Sequence, residues 1–215
     1  MSSGVDEVNA PSRRWTQRRD TARAQPAATT RKAIVAAARE LFAERGFHSV
    51  GLREVTERAG VSRGALSHHF TDKTALFAEV FEAVETDLIA QSAATPSTTS
   101  SADVWTEFRV GIQAYLEAAA SRADVQRVTL IDGPAVLGWA RWRELEERLS
   151  LGMMARVLEG SMAAGCIRPR PIEPLAHLIL GSVMEAALLI ANSHDPHQRR
   201  RDVGAALDDL LAGLV

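Results

Sequence analysis

Apolar positions in the first third of the chain recur at three- and four-residue spacing, the period of an amphipathic helix. Ile34, Ala37, Ala38, Leu41 and Phe42 share one face, Thr29 or Thr30 is placed to cap that helix, and Gly46 to end it. A short second helix is predicted over Leu52–Ala59, with Leu52, Val55 and Ala59 inward. Gly60-Val61-Ser62 is a tight turn, and Ser62 caps a third helix, Arg63–His69. Asp72 opens a fourth, whose stripe is Leu76, Phe77, Val80, Phe81, Val84 and Leu88. SAATPSTTSSAD, residues 92–103, reads as a loop. Beyond it the pattern predicts helices near 103–121, 124–131, 135–164, 174–192 and 198–214, broken by DGP at 132–134 and RPRPIEP at 168–174. Most of the chain lacks β-branched alternation, so the expected fold class is all-α.

Composition adds limits to this picture. With 215 residues, 46% of them hydrophobic, the chain is long enough for one or two domains with a real core. Residues 1–29 are rich in Ser, Thr, Ala, Pro and Arg and are expected to form a disordered basic arm carrying Arg13, Arg14, Arg18, Arg19 and Arg23. A helix-turn-helix domain is expected over residues 30–75, and a helical body over 76–215. Cys166 stands alone, which excludes an internal disulfide and suits a reducing cytoplasm. No signal peptide is visible at the N-terminus. The apolar run Leu175–Ala191 contains His177, Ser182 and Glu185 and is expected to be a buried helix, so no membrane partner is predicted.

The net charge of −2 hides an asymmetry: residues 1–80 carry 13 basic and 9 acidic side chains, leaving 12 and 18 for the remainder. A basic front on an acidic body suits a DNA-binding head. In a helix-turn-helix, two helices cross steeply over a turn that needs a residue tolerant of positive φ, here Gly60. Ala59, Val61 and Leu66 lie where the helices touch. Arg63, Gly64, Ala65, Ser67 and His68 form the set facing a groove.

The blocks TRKAIVAAARELFAERGF and LREVTERAGVSRGALSHHFTDKTALFAEVF together resemble the N-terminal domain of the TetR family of transcriptional repressors, over about residues 30–81. The resemblance implies that Ser62, Arg63, Gly64 and Ala65 open the recognition helix. Ser67 and His68 occupy positions that face phosphate or base, and His69 and Lys73 match backbone-contacting residues. Arg53 matches a second-helix position that touches backbone or base. The alternative for His68 and His69 is ordinary helix surface and packing. Three positions depart from the family pattern: Gly51 replaces a capping Ser or Thr, Thr56 a crossing alanine, and Ser67 a tyrosine. Gly51 and Ser67 leave two phosphates without their usual hydroxyl partners, and the arginine arm is expected to compensate.

The back half shows no nucleophile paired with a base, no phosphate loop and no paired cysteines, so no enzymatic activity, metal or cofactor is predicted. His194-Asp195-Pro196-His197 reads as a polar loop and Cys166 as a packed small residue. IDGPAVLGWARWRELEERLSLGMM resembles a C-terminal block of one TetR subgroup. With that resemblance, Phe108, Tyr115, Leu130, Trp139, Trp142, Met153 and Met184 are candidate walls of an apolar pocket, with His177 or Glu185 as its polar handle. The last two helices are apolar beyond what one chain needs. Family analogy implies a two-fold bundle through Leu178, Gly181, Ser182, Ala186, Leu189, Leu207, Leu210, Leu211 and Leu214.

The expected protein is thus a homodimeric, cytoplasmic, TetR-like repressor on a palindromic double-stranded operator, released by a small apolar or amphipathic effector. The alternative is a DNA binder of the same fold without a small-molecule ligand. A helical ligand-binding protein or enzyme that does not bind DNA is a third class.

Overall fold

The structure, a computed structural model, describes residues 14–96 and 103–215. Among these the chain is helical, with no strand. Helix α1 spans Arg14–Arg45, α2 Leu52–Ala59, α3 Arg63–His69 and α4 Lys73–Ala93. After the loop come α5 (Val104–Ser121), a π-helical segment (Val125–Asp132), α6 (Gly133–Leu137), α7 (Trp139–Ala163), α8 (Ile172–Ala191) and α9 (Pro196–Ala212).

Capping explains most of the starts. Ser62 Oγ accepts from the Ala65 amide at 3.1 Å, Asp72 Oδ1 from Ala75 at 2.7 Å and Asp103 Oδ1 from Thr106 at 2.8 Å. Each satisfies a first-turn donor that the helix itself leaves unpaired. Gly51 has no hydroxyl to offer α2, but the Glu54 carboxylate accepts from the Gly51 amide at 3.0 Å, which keeps half of a capping box. Gly60 ends α2 at φ +66°, the left-handed region that side chains disfavour.

Two boundaries differ from expectation. α1 begins at Arg14, so Thr29 and Thr30 lie inside it, and residues 14–29, expected to be disordered, are helical. Arg, Ala and Gln are good helix formers, and that propensity outweighs the disorder-like composition. Arg13 lies outside the described residues. The single helix expected over 135–164 is two, because Gly138 at φ +77°, ψ 150° leaves helical geometry and redirects the chain. Residues 125–132 are helical as expected, but wound as a π-helix, a form common at functional sites.

One apolar core runs through head and body. The α4 stripe Leu76, Phe77, Val80, Phe81, Val84 and Leu88 is buried along its whole length. Each such side chain stabilises the fold by about 1.5–3 kcal/mol. Its head end meets Ile34, Phe42 and Leu66 and its body end Trp105, Leu116 and Trp142, all members of the same cluster. The apolar α8 is long enough to cross a membrane by length and composition; it packs against α5, α7 and α9 within the body. Cys166 is half-buried against the core.

Nothing lies within 4 Å of a Cβ built on Gly60, so a side chain there meets only backbone strain. Gly60→Ala is expected to lower unfolding free energy by about 1–2 kcal/mol, read by urea denaturation. An unchanged midpoint would show that α2 and α3 do not depend on the left-handed turn.

Candidate functional site

The head presents α3 to solvent. Arg63, Gly64, Ser67 and His68 are exposed, Ala65 and His69 are half-buried, and Leu66 and Phe70 anchor the helix from beneath. Ser62 is exposed and its hydroxyl caps α3. Arg53 lies on α2 in an exposed ion pair with Glu57 at 2.8 Å, which screened solvent makes easy to exchange for a phosphate. Lys73 at the start of α4 is half-buried, with Nζ 4.2 Å from the centre of the Phe47 ring. Burial pushes the Lys73 ammonium below its ordinary pKa. Sequence reasoning missed Arg31, which ties the head together: it bonds both carboxylate oxygens of Glu79, donates to the His69 carbonyl at 3.3 Å and lies over the Phe70 ring.

The head is also bolted to the body. The Phe47 amide, in the α1–α2 loop, donates to Asp132 Oδ2 at 2.6 Å at the end of the π-helical segment. Arg39 on α1 grips Asp124 with Nε at 2.9 Å and Nη2 at 2.6 Å and also reaches Asp87 on α4. Its guanidinium helps hold the Asp124 carboxyl below its usual range against the opposing effect of burial.

In the body a cavity of about 220 Å³ opens among α4, α5, α7 and α8. Its walls include Ile89, Phe108, Ile112, Tyr115, Met153, Met154, Leu180, Val183 and Met184, with Glu146 and Ser150 as buried polar groups. Glu146 Oε1 has no hydrogen-bond partner, and neither carboxylate oxygen of the nearby Glu85 has one. Burial pushes the Glu85 carboxyl up to about 7, and drives Glu146 and the Tyr115 phenol well above their ordinary values; the Glu85 charge adds to both shifts.

Two family models match the chain: "Bacterial regulatory proteins, tetR family" over residues 34–80 and "Tetracyclin repressor-like, C-terminal domain" over residues 105–214. A crystal structure of a TetR-family transcriptional regulator from Pectobacterium atrosepticum is 35% identical, with TM-score 0.78, covering 89% of this chain and 96% of that one. The chain belongs to the TetR family of transcriptional regulators. The curated HTH-type transcriptional regulator AcrR of Shigella flexneri is 42% identical over 64 residues, so the chain spans only 30% of that relative's length. RolR, solved in complex with resorcinol, shares the fold at TM-score 0.67 and 19% identity, over 87% of this chain and 89% of that one.

Of the pocket residues expected from the sequence of this TetR-family chain, Phe108, Tyr115, Met153 and Met184 line the cavity. Five do not. Leu130 and Trp142 are buried in the core, Trp142 donating from Nε1 to the Thr129 carbonyl at 3.1 Å. Trp139, the first residue of α7, is 61% exposed. Glu185 is exposed, and His177 is half-exposed with Nδ1 3.9 Å from Glu147. The polar groups at the cavity are instead Glu146 and, behind it, Glu85. Both sit on apolar helical stripes, Glu85 between Phe81 and Leu88 and Glu146 beside Leu145, and that misplaced charge is the signal that would have found them.

The buried carboxyls set a pH dependence. Native Glu85 holds its proton to about pH 7, whereas the unfolded chain releases it near its ordinary value of 4.5. The stability this proton contributes is fully present below pH 4.5 and is lost as pH rises through 7, and Glu146 acts in the same direction. At about 1.4 kcal/mol per pKa unit, Tm is expected to fall by several degrees between pH 5 and pH 8, measured by circular dichroism. Glu85→Gln should flatten the slope. A flat wild-type profile would mean that the carboxyls are solvated in solution.

Proposed function

We propose that this chain is a dimeric repressor whose paired α3 helices enter successive major grooves of a palindromic operator, and that a small amphipathic effector in the body cavity releases the DNA. The observation that carries this reading is the double use of α4. Its first turn holds Lys73 beside α3, and its last turns supply Ile89, Ser92 and Ala93 to the cavity wall. A ligand that re-seats the last turns of α4 therefore moves the first, and release requires it to bind the DNA-incompetent arrangement more tightly.

Arg63, with Ser67 and His68, reads base edges or phosphate from α3, and Arg53 and Lys73 hold the backbone. The π-helical segment is a second link. It meets Glu85 on α4 through Thr129 and the head through Asp132 and the Phe47 amide. RolR, of the same fold, is solved with an aromatic small molecule, which supports a ligand-binding body in this chain.

The second copy fits the face of α8 and α9 that carries Leu178, Leu189 and Leu210. These are 69%, 45% and 69% exposed, with Gly181, Ser182 and Leu214 partly exposed beside them. Ala186, Leu207 and Leu211, expected in the same interface, are buried within the chain itself. An apolar face on paired helices is what a two-fold four-helix bundle buries.

Two measurements test the proposal. DNA selected from a random pool by the full chain should yield a palindrome, and Arg63→Ala with Lys73→Ala should weaken its binding by about tenfold or more, with the salt slope reduced. Equal binding by the double variant would remove α3 as the reading helix. Leu178→Glu with Leu189→Glu should give monomers in sedimentation and lose operator affinity; a dimeric double variant would move the interface elsewhere.

A further inference from the structure

The cavity is largely apolar, and its charged groups are all of one sign. Among the described residues that line it, none is Lys, Arg or His, whereas Glu107 lies at its exposed edge and Glu146 is buried in its wall. Glu146 Oε1 is unpaired, and the nearby Glu85 has only Thr129 beside its carboxyl, whose hydroxyl already donates to the Val125 carbonyl at 2.8 Å. Arg143 is the cation that acts electrostatically on Glu146. Its guanidinium is already committed, donating from Nε to Glu147 at 2.9 Å and from Nη1 to the Met184 sulfur at 3.2 Å.

Unpaired acceptors buried in a dry site are costly, and a native structure keeps them where a ligand will satisfy them. We propose that the cavity takes a small organic cation, an amphipathic molecule with an apolar body and a protonated amine, whose N–H groups pair with the buried Glu146. The inference rests on the cavity being the effector site. A carboxylate ligand would bring its charge to a dry site that already resists the ionisation of two carboxyls and where no lining cation receives it. A ligand without donors leaves Oε1 bare. An ammonium supplies donors only, and its charge favours the ionised form of the carboxyl it pairs with. Phe108 and Tyr115 add ring faces that favour a cation, and Met153, Met154 and Met184 adapt to the apolar body.

Three probes of one skeleton separate the possibilities: 4-phenylbutylamine, 4-phenylbutanol and 4-phenylbutyrate, titrated calorimetrically into the full chain. The amine is expected to bind tighter than the alcohol by about tenfold, with the carboxylate weakest. Glu146→Gln should erase the amine's advantage while circular dichroism shows the fold retained, and Glu85→Gln should reduce it. Equal binding of amine and alcohol, a preference for the carboxylate, failure of the amine to bind, or an advantage that survives Glu146→Gln would each overturn the proposal. The same samples assayed on selected operator DNA keep the two readings apart. An amine bound through Glu146 that leaves operator affinity unchanged overturns the effector role and leaves the ligand class standing. A chain that holds its operator but shows no amine preference overturns the ligand class alone.

Discussion

Head and body share one hydrophobic core because α4 buries apolar side chains along its entire length. Phe77 packs against Phe42 and Phe47 of the head, and the helix packs against α5 and α7 of the body. A rigid helix packed at both ends transmits rotation and translation, since close-packed interiors yield by shifting between arrangements rather than by compressing. The head therefore cannot be positioned independently of the walls of the cavity. The ion pairs of Arg39 with Asp124 and Asp87 and the bond from the Phe47 amide to Asp132 reinforce the same joint from the surface.

The polar groups divide by role. Exposed charges on the head, such as Arg53 and Glu57, sit in high dielectric and exchange partners at little cost. The carboxyls of Glu85 and Glu146 are held in a dry interior that resists their ionisation. A core built for stability alone would place Leu or Met there. Their presence weakens the unliganded fold at neutral pH, and the cavity beside them is where binding can restore that stability.

Much of the head was legible from residues alone. Ser62 and Asp72 cap the helices they were expected to cap, Gly60 takes the left-handed turn, and Arg63, Gly64, Ser67 and His68 are exposed on α3. These features are local: a cap acts on an amide three residues away, and a turn is set by the residue that must adopt positive φ. The stripe of α4 was equally readable, since one helix has one period. The start of α1 was not, because a composition rich in Arg and Ala suits both a solvated arm and a helix.

The body shows where local reasoning stops. Trp139 and Trp142 both lie in the first turns of α7, after the break at Gly138, yet one is exposed and the other buried. Helical period assigns a residue to a face, but which neighbour that face meets is settled only when all helices pack. On α8, apolar nearly all round, Ala186 turned inward and Leu178 outward, and no periodicity distinguishes them. The sequence by itself determined the helical class, the helix-turn-helix and the family. Tertiary structure alone decided the cavity's membership, the burial of Glu85 and Glu146 beside it, and the joint between Phe47 and Asp132, because each depends on residues brought together from distant parts of the chain.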